Sequence, residues 1–184
     1  SKGEYPRANN PEDDLAIMST PDKIPFVTDD FPDAPDGSET TIAPGAPPVP
    51  GMVVDAGDSD VFRSDLPAGS YRLNMQPLLY ANLDAQVEVL DSGLNVLVVG
   101  NPLDLLTADA RFRLDAPGTV YFRASGTGKP EVSGTGYSSY SSFGSYTLEL
   151  TSVFGDLLET VTGPSADDFV QSLTSDEDSR IYLA

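Results

Sequence analysis

The sequence predicts an all-β fold, specifically an antiparallel β-sandwich of about eight strands. Apolar and polar residues alternate in short runs, for example in residues 71–76, 86–90 and 120–125, which is typical of strands with one buried face. The 184 residues also include 16 Gly and 16 Pro, which interrupt the chain too often for long helices. Two sheets packed face to face accommodate such strands best, and an up-and-down barrel is the main alternative.

Turn signals separate the predicted strands. The tripeptide DSG at residues 91–93 predicts a hairpin between residues 87–90 and 94–99, in which Gly93 takes a positive φ. Residues 94–99 are apolar on both faces, a pattern typical of a strand covered on both sides. We therefore expect this strand to lie in the centre of a sheet.

Composition divides the chain into three segments. Residues 1–50 are acidic and rich in proline and predict an extended arm or linker, residues 51–152 carry the alternating strands of the sandwich, and residues 153–184 form an acidic tail. Because the first residues, SKGEY, lack an initiator Met, we expect the numbering to begin within a longer gene product.

Short ordered pieces are expected in both flanking segments. In the arm, EDDLAIM at residues 12–18 predicts one helical turn or a short strand, limited by prolines on both sides. In the tail, GPSADDFVQSL predicts a short helix, with Ser165 as its N-cap and Asp168 three residues later. The terminal RIYL can add an edge strand to the sandwich or bind elsewhere.

The composition excludes several classes of function. A formal net charge of −19 disfavours nucleic acid and anionic membrane surfaces as partners. The absence of Cys and His excludes a Ser-His-Asp triad and thiolate chemistry. No apolar run approaches the roughly 20 residues of a membrane-spanning helix, so no membrane insertion is expected. Divalent cations or a basic partner are the expected ligands.

Two groups of carboxylates are candidates for a calcium site, because calcium is bound by six to eight oxygen atoms. The first group, in the sequence DAGDSD, consists of Asp55, Asp58 and Asp60. The second, in the arm, consists of Asp29, Asp30 and Asp33. An ordinary acidic turn is the alternative interpretation of the first group. Carboxylate catalysis of the glycosidase kind is disfavoured, because these acids lie in loops without a Trp-lined cleft.

The sequence GTGYSSYSSFGSYTLEL at residues 134–150 contains candidate binding residues. Tyr137, Tyr140 and Phe143 lie in a loop rich in Ser and Gly before the last strand. Their rings either fold back over the edge of the sandwich or form a recognition surface, since Tyr with Ser and Gly suits adaptable contacts. A reactive Ser is not expected, because no base lies near it in the sequence.

Four segments, taken in order, resemble a known group of proteins. SKGEYPRANNPEDDLAIM is similar to the segment that follows the catalytic domain in secreted bacterial and algal zinc metallopeptidases. GDSDVFRSDLPAGSYRL and NLDAQVEVLDSGLNVL resemble bacterial pre-peptidase C-terminal domains, and GTGYSSYSSFGSYTLEL is similar to their closing strand. The resemblance implies a β-sandwich of jelly-roll type, and some of these relatives bind calcium. The family's usual D-D-H is Asp29-Asp30-Phe31 here, and the catalytic H-E-x-x-H segment is absent.

The residues and the resemblance together predict a non-catalytic extracellular accessory domain of a secreted metallopeptidase-like protein. We expect it to serve attachment, targeting or protein binding and to bind calcium. The expected partner is a protein or another component of the extracellular matrix or cell surface, including copies of itself. The alternative is a structural subunit of an extracellular fibre, cell wall or surface assembly, because an arm of some 50 residues with few core positions is best ordered by a neighbour.

Overall fold

The computed structural model describes residues 12–19, 27–129 and 136–153, together with the backbone of residues 173–175 and 181–183. The chain divides into two compact units, Ser1–Phe154 and Gly155–Ala184. In the described part of the first unit, nearly all of the regular secondary structure is β-strand, arranged in two sheets. This confirms the prediction of an all-β sandwich.

The described residues of the first unit contain a five-residue helix, a 3-10 helix at Ser139–Ser141 and nine strands. These elements are α1 (Asp14–Met18), β1 (Thr40–Thr41), β2 (Val49–Val53), β3 (Ser59–Leu66), β4 (Gly69–Pro77), β5 (Ala85–Leu90), β6 (Val96–Gly100), β7 (Ala108–Leu114), β8 (Gly118–Gly126) and β9 (Gly144–Ser152).

The nine strands form two separate sheets. One sheet has the order β1-β3-β8-β5-β6 and the other the order β2-β9-β4-β7. Neighbouring strands are antiparallel except for β1 and β3, which are parallel. A barrel would have joined these strands into one closed sheet, so the sandwich is the correct alternative.

The core lies between the two sheets and is supplied by alternate residues of the strands. In β4, Tyr71, Leu73 and Met75 are buried as the alternation predicts. Phe122 of β8 and Tyr146 of β9 are among the largest side chains with no solvent exposure. Each such apolar side chain contributes roughly 1.5–3 kcal/mol through burial, which is why the alternation selects this fold.

Four connections lie at the same end of the sandwich, which we call the loop end. They are the connections β2–β3, β4–β5, β6–β7 and β8–β9. In the five-stranded sheet, Ser59 at the start of β3 pairs with Ser125 at the end of β8, and Ala85 at the start of β5 pairs with Gly126. The four-stranded sheet matches this arrangement, because the ends of β2 and β4 both pair with the start of β9.

The second half of the arm packs on the sandwich. β1 pairs with β3, and the backbone N–H of Val61 in β3 donates to the carbonyl of Pro32 over 2.9 Å. The ring of Phe31 lies 4.7 Å from the ring of Phe62. These contacts hold residues 29–33 beside the start of β3.

Residues 94–99 are not in the centre of a sheet, so that prediction was wrong. The strand β6 is the edge of the five-stranded sheet, and Val96, Leu97 and Val99 are each about half exposed. An apolar residue on each face is compatible with a covered strand and equally with an edge strand that exposes apolar side chains. The pattern does not distinguish the two.

The β5–β6 hairpin forms as predicted, but Gly93 does not supply its positive φ. Leu94 has a φ of 64° instead. The carboxylate of Asp91 accepts the backbone N–H groups of Gly93 and Asn95, at 2.8 and 2.9 Å. These two bonds fix the turn so that the left-handed residue falls one position later.

The predicted helical turn in the arm is confirmed as α1, whose N-cap Asp13 accepts the backbone N–H of Ala16 over 3.1 Å. In the second unit, β10 (Leu173–Ser175) pairs antiparallel with β11 (Ile181–Leu183), so the terminal RIYL segment contains a strand. The predicted tail helix with Ser165 and Asp168 lies outside the described residues. Within the described ranges, no helix has the length and apolar character that crossing a membrane requires.

Candidate metal centre

The two acidic groups of the sequence meet at the loop end in one set of five carboxylates, which we call the carboxylate cluster. Its members are Asp29, Asp30, Asp33, Asp58 and Asp60. It contains two overlapping triads, Asp29 with Asp33 and Asp58, and Asp29 with Asp30 and Asp60. Within each triad, one oxygen per residue lies within 4.8 Å of the others.

The start of β3 and the arm position these carboxylates from opposite sides. Asp58 and Asp60 flank Ser59, the first residue of β3. The backbone N–H of Ser59 donates to Oδ1 of Asp33 over 3.0 Å, and its hydroxyl donates to the carbonyl of Asp33 over 3.2 Å. Oδ1 of Asp29 accepts the backbone N–H of Phe31 over 3.1 Å. The arm is thereby held with its carboxylates facing those of the sandwich.

Two of the five carboxylates are buried and only partly satisfied. Asp58 is 8% exposed and Asp60 is fully buried. Oδ2 of Asp58 accepts the backbone N–H of Val54, and Oδ2 of Asp60 accepts the hydroxyl of Tyr146, both over 2.5 Å. The Oδ1 atom of each carboxylate has no donor among the described residues. Leaving a buried polar atom unpaired costs about 1–3 kcal/mol, and more when the group is charged.

Burial raises the pKa of both carboxyls. The pKa of Asp58 rises to about 6, mainly through burial, with the charges of Asp29, Asp33 and Asp55 adding to the effect against the Val54 N–H. Burial also raises the pKa of Asp60 to about 8, although the Tyr146 hydroxyl favours its ionised form.

The same environment affects two neighbouring groups. The pKa of Asp30 is raised by burial, and the pKa of Tyr146 is raised by burial and by the carboxylate of Asp60. Burial and mutual repulsion therefore both oppose ionisation in this region. A bound cation would reverse both effects.

The donor set fits a hard divalent cation. Calcium–oxygen distances are about 2.3–2.6 Å, so two oxygens on opposite sides of one ion lie at most about 5 Å apart. The 4.8 Å limit within each triad satisfies that condition. Carboxylate donors without nitrogen or sulfur favour calcium or magnesium over zinc or copper. Asp58 belongs to one triad and Asp60 to the other, and each has a buried Oδ1 atom with no donor among the described residues.

Asp55 is not a member of either triad, although its charge acts on Asp58. Its Oδ1 atom accepts the backbone N–H of Gly57 over 2.7 Å, as in an ordinary acidic turn. The arm residues Asp29, Asp30 and Asp33 take its place beside Asp58 and Asp60.

The aromatic residues of the β8–β9 loop fold back onto the protein. The hydroxyl of Tyr137 donates to Oδ2 of Asp84 over 2.8 Å. The hydroxyl of Tyr140 donates to Oδ1 of Asp13 over 2.7 Å, which links the loop to the N-cap of α1. Phe143 is partly buried against the core. Of the three, Tyr137 retains the largest exposed surface, at 47%.

Tyr146 is a residue of the site that the sequence did not predict. A signal was present, because a tyrosine at an inward position needs an acceptor for its hydroxyl. The acceptor is Asp60 on the facing sheet, 86 residues away in the sequence.

The fold is similar to two solved structures. One is the pre-peptidase C-terminal domain of a collagenase from Bacillus anthracis, with 13% identity and a TM-score of 0.47 over 67% of this chain and 100% of that chain. The other is PliG of Aeromonas hydrophila, a periplasmic inhibitor of g-type lysozyme, with 14% identity and a TM-score of 0.41 over 62% of this chain and 96% of that chain. No family model and no curated protein sequence matches this chain. The function must therefore be argued from its own residues.

Proposed function

We propose that the chain is a non-catalytic, extracellular accessory β-sandwich that binds calcium at the carboxylate cluster and serves attachment or protein binding. The observation that carries the proposal is the pair of buried carboxylates, Asp58 and Asp60, each of which has an unpartnered oxygen and shares a triad with Asp29. No other arrangement among the described residues combines buried, unsatisfied ligand atoms with further carboxylates within 4.8 Å.

Calcium at this position links the arm to the sandwich. Asp29, Asp30 and Asp33 come from the arm, whereas Asp58 and Asp60 come from the start of β3. Without a cation, the five carboxylates repel one another once they are ionised. With the cation bound, the same charges attract it from both segments, so ion binding stabilises the packed arrangement of the arm.

The geometry supports binding rather than catalysis. Asp60 is fully buried and hydrogen-bonded to Tyr146, so it is not placed to contact a substrate. Extracellular calcium modules have dissociation constants of about 10⁻⁴–10⁻³ M, and a site built largely from exposed carboxylates suits that range. An extracellular location and attachment to a secreted metallopeptidase-like protein agree with the motifs of the sequence.

The proposed partner is a protein or another component of the matrix or cell surface. The net charge of −19 favours a partner with a basic surface. Tyr137 offers a half-exposed aromatic ring at the loop end, whose hydroxyl is already bonded to Asp84. A ring fixed in this way loses little conformational freedom on binding.

Calorimetric titration with calcium, together with thermal unfolding in calcium and in EDTA, tests the proposal. Asp29→Asn is the informative variant because Asp29 belongs to both triads and is exposed, so its substitution removes a negative charge from both triads without disturbing the core. The matched control is Asp115→Asn, whose side chain is 92% exposed and paired with Arg113.

We expect the wild-type protein and Asp115→Asn to bind calcium and to unfold several degrees higher in calcium than in EDTA, since saturation at 100 times Kd adds about 2.7 kcal/mol. Asp29→Asn should lose most of both effects and keep the same far-ultraviolet circular dichroism spectrum. A wild-type protein that gives no heat and no change in melting temperature would remove the calcium proposal.

A further inference from the structure

We infer that two copies of this chain associate through an apolar surface at the loop end, which we call the apolar tip. It consists of six exposed side chains in two adjacent connections: Leu78, Leu79, Tyr80, Leu103, Leu105 and Leu106. The calcium proposal neither requires nor predicts this surface.

The β4–β5 connection supplies the first half of the tip. It contains a tight turn closed by the backbone N–H of Ala81, which donates to the carbonyl of Leu78 over 3.0 Å. Leu79 and Tyr80 occupy the two central positions and are 81% and 96% exposed. Tyr80 has a φ of 72°, a conformation that normally selects Gly or Asn at this position of a turn.

The β6–β7 connection supplies the second half. A turn closed by the backbone N–H of Leu105 and the carbonyl of Pro102, at 3.3 Å, presents Leu103, Leu105 and Leu106 with more than half of each exposed. The backbone N–H of Ala85 donates to the carbonyl of Leu106 over 2.9 Å, which joins this turn to the end of the β4–β5 connection. Because β4 and β7 are neighbouring strands, with Met75 opposite Ala108, the two connections lie side by side at the loop end.

Local stability does not explain these residue types. Turn corners ordinarily carry Gly, Pro, Asn, Asp or Ser, and exposed turns gain nothing from Leu or Tyr. A strained backbone that holds a large ring almost wholly in solvent is a feature that points to a binding role. A contiguous apolar surface of this size on a protein marks an interaction site.

The charges near the tip favour a second copy as the occupant. Asp104 is paired with Nζ of Lys129 over 2.8 Å, and Asp84 accepts the hydroxyl of Tyr137. Two copies of a chain with a net charge of −19 repel each other over most of their surface. They can approach at the tip because apolar side chains meet there and its two carboxylates already have partners.

The size of the tip also suits a symmetric dimer. Its six side chains, exposed by 44–96%, present roughly 700 Å², close to the ~800 Å² that each partner buries in a standard interface. A two-fold axis brings the same patch of both copies together without leaving a free end. Self-association of this kind is a property that a subunit of a surface assembly needs.

Sedimentation in EDTA, over about a hundredfold range of protein concentration and at low and high NaCl, tests the inference. Tyr80→Gly removes the ring and relieves the backbone conformation, so it weakens the interface without weakening the fold. Leu94→Gly is the matched control, because Leu94 also has a positive φ, of 64°, and is 46% exposed. It lies in the β5–β6 hairpin at the opposite end of the sandwich.

We expect the wild-type protein and Leu94→Gly to dimerise, and more tightly at high NaCl because salt screens the repulsion between acidic copies. Tyr80→Gly should weaken dimerisation at least about tenfold, equivalent to about 1.4 kcal/mol. A monomer at every concentration, or equal weakening by both glycine variants, would overturn the inference.

A fluorescence measurement distinguishes a second copy from a lipid surface. The chain has no Trp, so Leu79→Trp places a single reporter in the tip. A blue shift that grows with protein concentration in the absence of lipid supports dimerisation. A blue shift that appears only with phosphatidylcholine vesicles assigns the tip to a bilayer instead, and no shift in either condition contradicts the inference.

Discussion

Asp60 is the residue whose surroundings are least favourable to its charged form. It is fully buried, its pKa is raised to about 8 by burial, and one of its oxygens has no donor among the described residues. Tyr146 satisfies the other oxygen. A carboxyl with this environment is costly in the metal-free protein and becomes favourable when a cation supplies the missing charge.

We therefore expect Asp60→Asn to change stability in opposite directions with and without calcium. In EDTA at pH 8 the neutral amide avoids the cost of a buried charge, so the free energy of unfolding should rise by about 1–2 kcal/mol. In saturating calcium the variant should be less stable than wild type, because it loses a ligand. Urea denaturation in both conditions measures the two differences. A loss of stability in EDTA as well would show that the carboxylate is needed for packing alone.

Tyr80 has a backbone conformation that is unfavourable for a residue with a side chain. A positive φ costs a residue with a side chain about 1–2 kcal/mol, whereas Gly adopts it freely but adds entropy to the unfolded chain. Tyr80→Gly should therefore leave the stability of the monomer unchanged or raise it by up to about 1 kcal/mol. Urea denaturation at low protein concentration measures this, and a loss of more than 1 kcal/mol would indicate that the ring supports the fold.

At the scale of strands, the sequence was sufficient where burial alone determines the pattern. The alternation in β4 and β8 predicted which residues face the core, because one side chain in two is buried in a half-covered strand. The apolar pattern of residues 94–99 did not predict the position of β6 in its sheet. Such a pattern shows which residues are apolar but not which strands cover them. The turn at Leu94 was missed because hydrogen bonds to Asp91, rather than glycine content, determine its conformation.

The candidate site was predicted only in fragments. Sequence analysis identified the arm acids and the β3 acids as separate groups, because it cannot show that Ser59 donates to Asp33, 26 residues earlier. It included Asp55, which is close in sequence to Asp58 but bonds to Gly57 instead. Proximity along the chain does not show which carboxylates meet when the arm and the start of β3 bring them together.

The pairing of β2 with β9 depends on a close approach that only glycine permits. Gly51 lies opposite Tyr146, and a Cβ at this position would lie 2.5 Å from the Tyr146 ring and hydroxyl. Gly51→Ala should displace Tyr146, reduce stability by about 1–3 kcal/mol and weaken calcium binding through the lost bond to Asp60.

Urea denaturation and calorimetric titration measure both effects of Gly51→Ala. Gly118→Ala is the control, because it is also a strand glycine and a Cβ there meets no atom within 4 Å. Equal behaviour of the two variants would mean that the position of Tyr146 does not depend on the approach of β2.

For the whole molecule, the carboxylate cluster makes stability depend on pH in an unusual direction. Unfolded Asp ionises near pH 3.8, whereas the pKa values of folded Asp58 and Asp60 are about 6 and about 8. Between these values the folded protein binds more protons than the unfolded chain, so the free energy of unfolding falls as pH rises from about 4 to about 8. Exposed carboxyls such as Asp65 and Asp91 have lowered pKa values in the folded protein. They make the free energy of unfolding rise with pH, but only below about pH 4.

Calcium should oppose this decline, because the ion displaces the protons that Asp58 and Asp60 hold. We expect Kd for calcium to fall as pH rises from about 6 to about 8 and binding to release up to about two protons. Urea denaturation at several pH values in EDTA and in calcium measures the stability, and titration in buffers of different ionisation enthalpy counts the protons. Stability in EDTA that increases over this pH range, with no proton release on adding calcium, would show that Asp58 and Asp60 are already ionised in the metal-free fold.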